Sequence, residues 1–409
     1  MTDVGFLNRK TPPHIFTLVM VAGLSALSMN VFLPSLPAMT AHFETQYAVM
    51  QLSISGYLAA TACVQLVVGP LSDLFGRRPV MLVSLCIMCI ATLVCFLAPN
   101  VGVFMVARFA QASVATCFVL ARAVVRDMVP ANQAASMIGY VTMGMSVVPM
   151  VGPMIGGVLN DIGGWQASFL LLMGLTMLVI VLVYFDLGET NRQKSTSFSA
   201  QFKAWPELLK SRLFWGYALT STFSSGLFFS FLGGAPFIGS TLYGLTPAML
   251  GVQFFFMAAG YMLGNFISGR YASDIGIIRM MVSGNLIAMT GIIIAIVLAN
   301  TGLHSPYAFF MPLALIGVGN GVTLPSSNAG MVSVKPHLAG SASGLGGALT
   351  IGGGAALSVI ATSLLSPTSG TQPLLFMMVA TGLLALYATY FTRKAERQEA
   401  SLSQRDDNA

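Results

Sequence analysis

Charge is what this chain of 409 residues has least of: Asp, Glu, Lys and Arg together make up 8%. A soluble domain carries roughly 25%. So thin a polar supply cannot cover a water-facing surface, and a bilayer is the natural solvent. Histidine is nearly as scarce. His14, His42, His304 and His337 all fall near the ends of apolar runs. With no acid pair deep in a run either, an intramembrane hydrolase would lack its base. A sensor would need a signalling domain, and the polar tails are too short to hold one. The five cysteines sit inside apolar runs. Cys86 and Cys89 form a CxxC, but no other ligand type stands nearby, so neither metal nor redox chemistry is expected. No cleavable leader is expected either, because the first apolar run ends in Pro34 and Pro37 rather than in small residues.

What the chain does have is apolar length: 56% hydrophobic residues and a mean hydropathy of +0.80. A span needs about 20 apolar residues. Twelve such runs can be drawn, at 14–38, 47–70, 80–98, 101–125, 134–159, 165–187, 213–240, 247–270, 279–300, 306–329, 340–364 and 372–392. These are spans one to twelve below. The expected fold is an all-α membrane protein of 12 transmembrane helices in two six-helix bundles, 14–187 and 213–392. A cytoplasmic tail (1–13), linker (188–212) and second tail (393–409) complete the chain.

Basic residues set the orientation. With the N-terminus inside, every Lys and Arg except Arg108 and Arg122 falls in a cytoplasmic connection or tail. Positive-inside bias this complete puts both termini in the cytoplasm. It also accounts for the net charge of +6: this is a topology signal, not a nucleic-acid surface. "GPLSDLFGRR" after span two is echoed by "GRYASDIGIIR" after span eight, each placing Ser-Asp, Gly and Arg at the same turn. Duplicated halves are a transporter layout, with the substrate site near the midplane.

These residues carry a resemblance. "GPLSDLFGRRPVML" (69–82) resembles the loop signature of the major facilitator superfamily, and "GMSVVPMVGPMIGGVL" (144–159) its antiporter signature in helix five. "VARFAQASVATCFVLARAVVRD" (106–127) is similar to helix four of the bicyclomycin-resistance (Bcr/CflA) exporters, and "GVTLPSSNAGMVSVKPHLAGSASGLGGAL" looks like the same group. The resemblance implies an inner-membrane exporter of hydrophobic drugs, working by alternating access with a proton as coupling ion and no other cofactor. Export of a small metabolite by the same machinery is the alternative. Lipid and hydrophobic small molecules are the expected partners, and nothing demands more than a monomer.

Gly69, Asp73, Gly76, Arg77 and Arg78 stand where the bilayer ends. By themselves they could be a solvated turn, although glycines at this spacing permit close approach. The resemblance implies a cytoplasmic gate instead, with Arg77 bridging Asp73 to Asp127, and Asp73 facing the start of helix eleven near Gly340 and Ser341. In span four, Arg108, Gln111, Ala115, Val119 and Arg122 share one helical face. A cation inside a bilayer helix is costly unless it faces a cavity or a partner. For Arg108 a cavity-facing role is expected, in coupling or in binding cargo. For Arg122 a cavity and snorkelling stay open. Gly144, Gly152, Pro153, Gly156 and Gly157 are packing residues that the resemblance makes an antiporter seal. Asn320, Thr323 and Ser327 form a polar stripe in span ten, either interhelical glue or cavity wall, with Phe223 among the aromatic candidates for cargo contact.

Antiport needs a group that trades a proton for cargo, yet none of the 13 acids lies mid-membrane. Related exporters carry an Asp in helix one; here "NVFLPSLP" has Asn30 in its place. Asn cannot ionise. Asn30 is an engineered mimic of the protonated acid, or a natural residue with coupling moved elsewhere or lost, or the register is wrong. Asn30 could also serve only a helix–helix hydrogen bond; every other reading places it on the central cavity.

Overall fold

The computed structural model describes residues 5–9, 11–128, 148–191, 205–301, 305–335, 338–366 and 368–406, and every regular element among them is helical. Among the described residues, eleven helices are long and apolar enough to cross a membrane. Span five is described over Val148–Gly163 alone. Gly144, His304, His337, Arg192, Lys194 and Lys203 lie outside the described residues. The helix of span twelve does not stop at the expected tail but runs on from Gln372 to Asp406.

The chain divides into two compact units. The first holds Met1–Ser199 with Gly239–Phe255, and the second Ala200–Ile238 with Phe256–Ala409. The end of span seven (Arg212–Thr241) and the start of span eight (Pro247–Ile275) therefore go with the first unit.

In the first unit, span one (Ile15–Asn30) runs into a 3-10 turn at Leu33–Ser35 and a short helix at Leu36–His42. Pro34 and Pro37 stand at the first turns of these two segments, where a missing N–H costs nothing. The core joins Leu18, Val21 and Leu24 of span one to Leu85 and Met88 of span three (Arg77–Phe96), Leu120 and Val124 of span four, and Leu172 and Val179 of span six (Gln166–Asp186). At one end, Phe104, Trp165 and Phe169 pack edge to face at 5.7–6.0 Å.

The second unit is held by glycine. Gly317 and Gly321 of span ten (Pro306–Ser333) press on the backbone of span eight at Met257 and Tyr261, and Gly260 and Gly264 of span eight press back. Gly319, between them, meets Gly284 of span nine (Ile277–Asn300). Lipid tails give helices no hydrophobic reason to associate, so such close backbone approach supplies the attraction. Hydroxyls stitch span seven inward. Ser221 pairs with Ser327 at 2.7 Å, Ser224 donates to Asn285 at 2.7 Å, and Asn285 donates to Thr389 at 3.0 Å.

The two echoed turns share one backbone form. Gly76 has φ +104 and ψ 154, and Gly276 φ +88 and ψ 152. Both end one helix and begin the next in a region L side chains rarely enter.

Candidate functional site: the inner turn, the buried cation and the apolar pocket

The inner turn of the first unit is a charge network. Arg77 donates from Nη1 to Asp73 and to the Ser72 hydroxyl, and from Nε to Asp127 at 3.2 Å. Its side chain is 12% exposed against 41% for Asp73 and 24% for Asp127, so it is the buried hub. Thr190 also donates to Asp127, at 3.1 Å. Glu189 closes the other side, accepting from the backbone N–H of Arg77 at 2.9 Å and of Arg78 at 3.3 Å. A carboxylate on the first N–H groups of span three meets both unsatisfied donors and the positive helix end. Asn191 donates to the carbonyls of Ser72 and Asp73. Arg78 turns outward, donating to the Tyr184 carbonyl at 3.1 Å with its guanidinium 5.2 Å from that ring.

Sequence reasoning found Asp73, Arg77 and Asp127, and missed Glu189, Thr190 and Asn191. Those three open a polar linker, where nothing local distinguishes a capping carboxylate from a solvated one.

Arg108 departs from its expected cavity-facing role. Its residue is fully buried. Nε donates to Ser53 O at 3.2 Å, Nη1 to Gln111 Oε1 at 2.7 Å and Nη2 to Ser28 O at 2.9 Å. The rings of Phe32 and Tyr57 lie 4.3 and 4.1 Å from its Cζ. Burying an ion costs several kcal/mol. Hydrogen bonds to a charged group return about 1.5–3 kcal/mol each, and desolvated ring faces about 2. Gln111 is the orienting partner, handing its amide to Thr92 Oγ1 at 2.8 Å. The uniform helical face expected in span four is broken at this point, because Gln111–Val114 form a 3-10 turn between Val101–Ala110 and Ala115–Met128. Arg122 is half-buried, its guanidinium 4.0 Å from the Phe118 ring.

Asn30 closes span one. It is 3% exposed, its amide donates to Ala26 O at 2.7 Å, and its carbonyl oxygen is buried without a partner among the described residues. Its Cβ stands 3.7 Å from where a side chain on Gly152 would begin. Gly156 lies against the backbone of Val31, and Gly157 against Pro247 and Ala248. Gly251 meets the backbone of Pro153 and Met154 in return. The span-five glycines thus act as close-packing surfaces toward spans one and eight. Gly69 sits near the inner end of span two (Tyr47–Phe75), its carbonyl taking the Ser72 hydroxyl.

The span-ten stripe resolves mainly as glue. Thr323 is fully buried beside Gly284, Ser327 is paired to Ser221, and Asn320 is 1% exposed. Phe223 is half-buried. A cavity of about 260 Å³ opens elsewhere in the second unit, lined by Trp215, Ala218, Leu219 and Thr222 of span seven and Ala348, Leu349, Gly352 and Gly353 of span eleven (Ala339–Ser363). Its polar groups are already satisfied: Trp215 Nε1 donates to Leu209 O and Thr222 Oγ1 to Ala218 O. No site residue expected from sequence lines it.

Residues 18–358 match the sequence profile of the Major Facilitator Superfamily. The chain belongs to this superfamily. It is accordingly a transporter rather than an enzyme, and a multi-pass protein of the bacterial inner membrane. An uncharacterized MFS-type transporter of Bacillus subtilis, YdgK, is 32% identical, covering 82% of this chain and 85% of its own. A chloramphenicol resistance protein of Pseudomonas aeruginosa is 28% identical over 84% and 81%. A solved D-xylose-proton symporter superposes with a TM-score of 0.73 over 92% and 96% of the two chains. At 13% identity that likeness speaks for the superfamily fold alone.

Proposed function

We propose that this superfamily member exports hydrophobic small molecules from the cytoplasm by alternating access, as a proton-coupled antiporter with twelve spans and both termini inside. The observation that carries the reading is the near full-length likeness to a bacterial drug-resistance protein. The Asp73–Arg77–Asp127 network supports it as a cytoplasmic gate, because an Arg hub with two partners is an element that opening can break and closing can re-form. The close-packed glycines of span five, Gly152, Gly156 and Gly157, fit a seal against leak. Asn30, beside Gly152 with a carbonyl oxygen unpaired among the described residues, is the candidate cargo contact.

A second reading, an uncoupled facilitator, is favoured by one observation: the residue at position 30 cannot ionise. The experiment that separates the two is chloramphenicol-driven proton exchange in proteoliposomes, comparing the chain with Asn30→Asp. Exchange by the unmodified chain places the proton elsewhere, with Asp127 the next residue to replace. Exchange only by the variant makes position 30 the coupling position. Drug transport without proton movement in either protein establishes the facilitator.

A further inference from the structure

We infer that the cargo is uncharged or anionic, and that lipophilic cations of the same size are rejected; this rests on the exporter reading above. Asp73, Asp127, Asp161, Asp186 and Asp274 each stand within two residues of the end of their helices; Glu44, Glu189 and Glu207 lie outside the membrane-crossing helices, and Glu396, Glu399 and Asp406 lie in the last eleven residues of the final helix, Gln372–Asp406. The segments outside the described residues add only Asp3 and Asp407, both at the chain's ends. No carboxylate is therefore available at membrane depth to meet a cation.

A fixed positive charge is available. Arg108 lies seven residues into its helix, about 10 Å from the end at 1.5 Å per residue, and arginine stays protonated in proteins. Its partners are two backbone carbonyls, one amide and two rings, all neutral. They satisfy its hydrogen bonds without cancelling its charge. At an effective dielectric of about 20, a second positive charge roughly 10 Å away is disfavoured by a little more than tenfold in affinity, and an anion is favoured by as much. Burial leaves this field only weakly screened by salt.

The remaining groups suit neutral cargo. Asn30 Oδ1, buried and without a partner among the described residues, can accept from a hydroxyl or amide N–H but supplies no charge. The 260 Å³ cavity beside Trp215 carries no ionisable side chain and leaves apolar surface for a ring.

The test is displacement of radiolabelled chloramphenicol from the full chain in nanodiscs by two isosteric ions, tetraphenylphosphonium and tetraphenylborate, with empty nanodiscs as reference. The expected result is at least tenfold weaker competition by the cation, unchanged between low and high salt. Asn30→Asp is expected to raise cation competition at least tenfold relative to competition by the anion in the same variant. Equal competition by the two ions, or a preference that vanishes in high salt, overturns the inference and leaves the exporter reading standing. No gain of cation competition in Asn30→Asp also counts against it. Failure to bind or transport chloramphenicol at all sinks the exporter reading itself, and this inference with it.

Discussion

The carboxylate of Glu189 occupies the space that a Cβ on Gly76 would need. One glycine thus meets two demands: a φ of +104 that ends span two, and room for the acid that caps span three. Gly76→Ala is expected to cost about 1–3 kcal/mol in backbone strain alone, with a further loss from displacing Glu189. Glu189→Gln keeps an accepting oxygen and should cost less than about 1 kcal/mol through the lost charge at the helix end. Thermal unfolding in detergent ranks the two. A Gly76→Ala protein as stable as the parent would contradict the account.

Arg108 makes a sharper prediction about chemistry at constant charge. Lysine carries the cation but not a planar fork that can reach Ser28, Ser53 and Gln111 at once. Arg108→Lys is expected to leave at least one buried carbonyl unpaired, at about 1–3 kcal/mol, and to lower both melting temperature and transport. Gln111→Leu should show part of the same loss, since it removes one of the three acceptors. If Arg108→Lys melts with the parent, the fork geometry is not what holds the first unit together.

Fold and site were legible to different depths. Apolar length and the placement of Lys and Arg exposed the spans, because a bilayer gives uncovered backbone and charge nowhere else to go. The Asp73–Arg77–Asp127 cluster was readable because its glycines and charges recur at fixed spacing. Glu189 was not, because its capping role depends on the end of span six arriving beside the start of span three. Arg108 looks cavity-facing in the sequence for a related reason. Sequence shows a cation in an apolar run, but the carbonyls of Ser28 and Ser53 that enclose it come from two other spans. Ser327 and Thr323 followed the same logic: a polar stripe looks alike whether it faces water or a neighbouring hydroxyl.

The glycines of the first unit should not be equivalent. A side chain on Gly156 would run into the backbone of Val31, which cannot rotate away, whereas Gly174 of span six has nothing within 4 Å. Gly156→Ala is therefore expected to force spans one and five apart and to abolish or severely lower the yield of folded protein. Gly174→Ala should be neutral or gain up to about 1 kcal/mol from helix propensity. Size-exclusion profiles and melting curves of the two variants, expressed side by side, decide the point. Equal behaviour would mean the close approach at Val31 is not required.

Asp186 ties the N-terminal segment to the end of span six, and it does so with both carboxylate oxygens. It accepts from Leu7 N at 2.7 Å and from His14 N at 2.8 Å while fully buried. Gly188 lies against the Arg9 carbonyl, and the Arg9 guanidinium sits 4.7 Å from the Tyr184 ring, so the strap is held to the end of the helix at Leu7, Arg9 and His14. Hydrogen bonds to a charged acceptor are worth about 1.5–3 kcal/mol. Local opening of the strap in Asp186→Ala should rise by one to two orders of magnitude accordingly. Amide hydrogen exchange at Leu7 and His14 reads this directly, with exchange inside span three as the internal control. Acceleration at the strap alone is the expected outcome. Exchange at Leu7 and His14 that stays at the parent rate would show that something other than Asp186 holds the strap down.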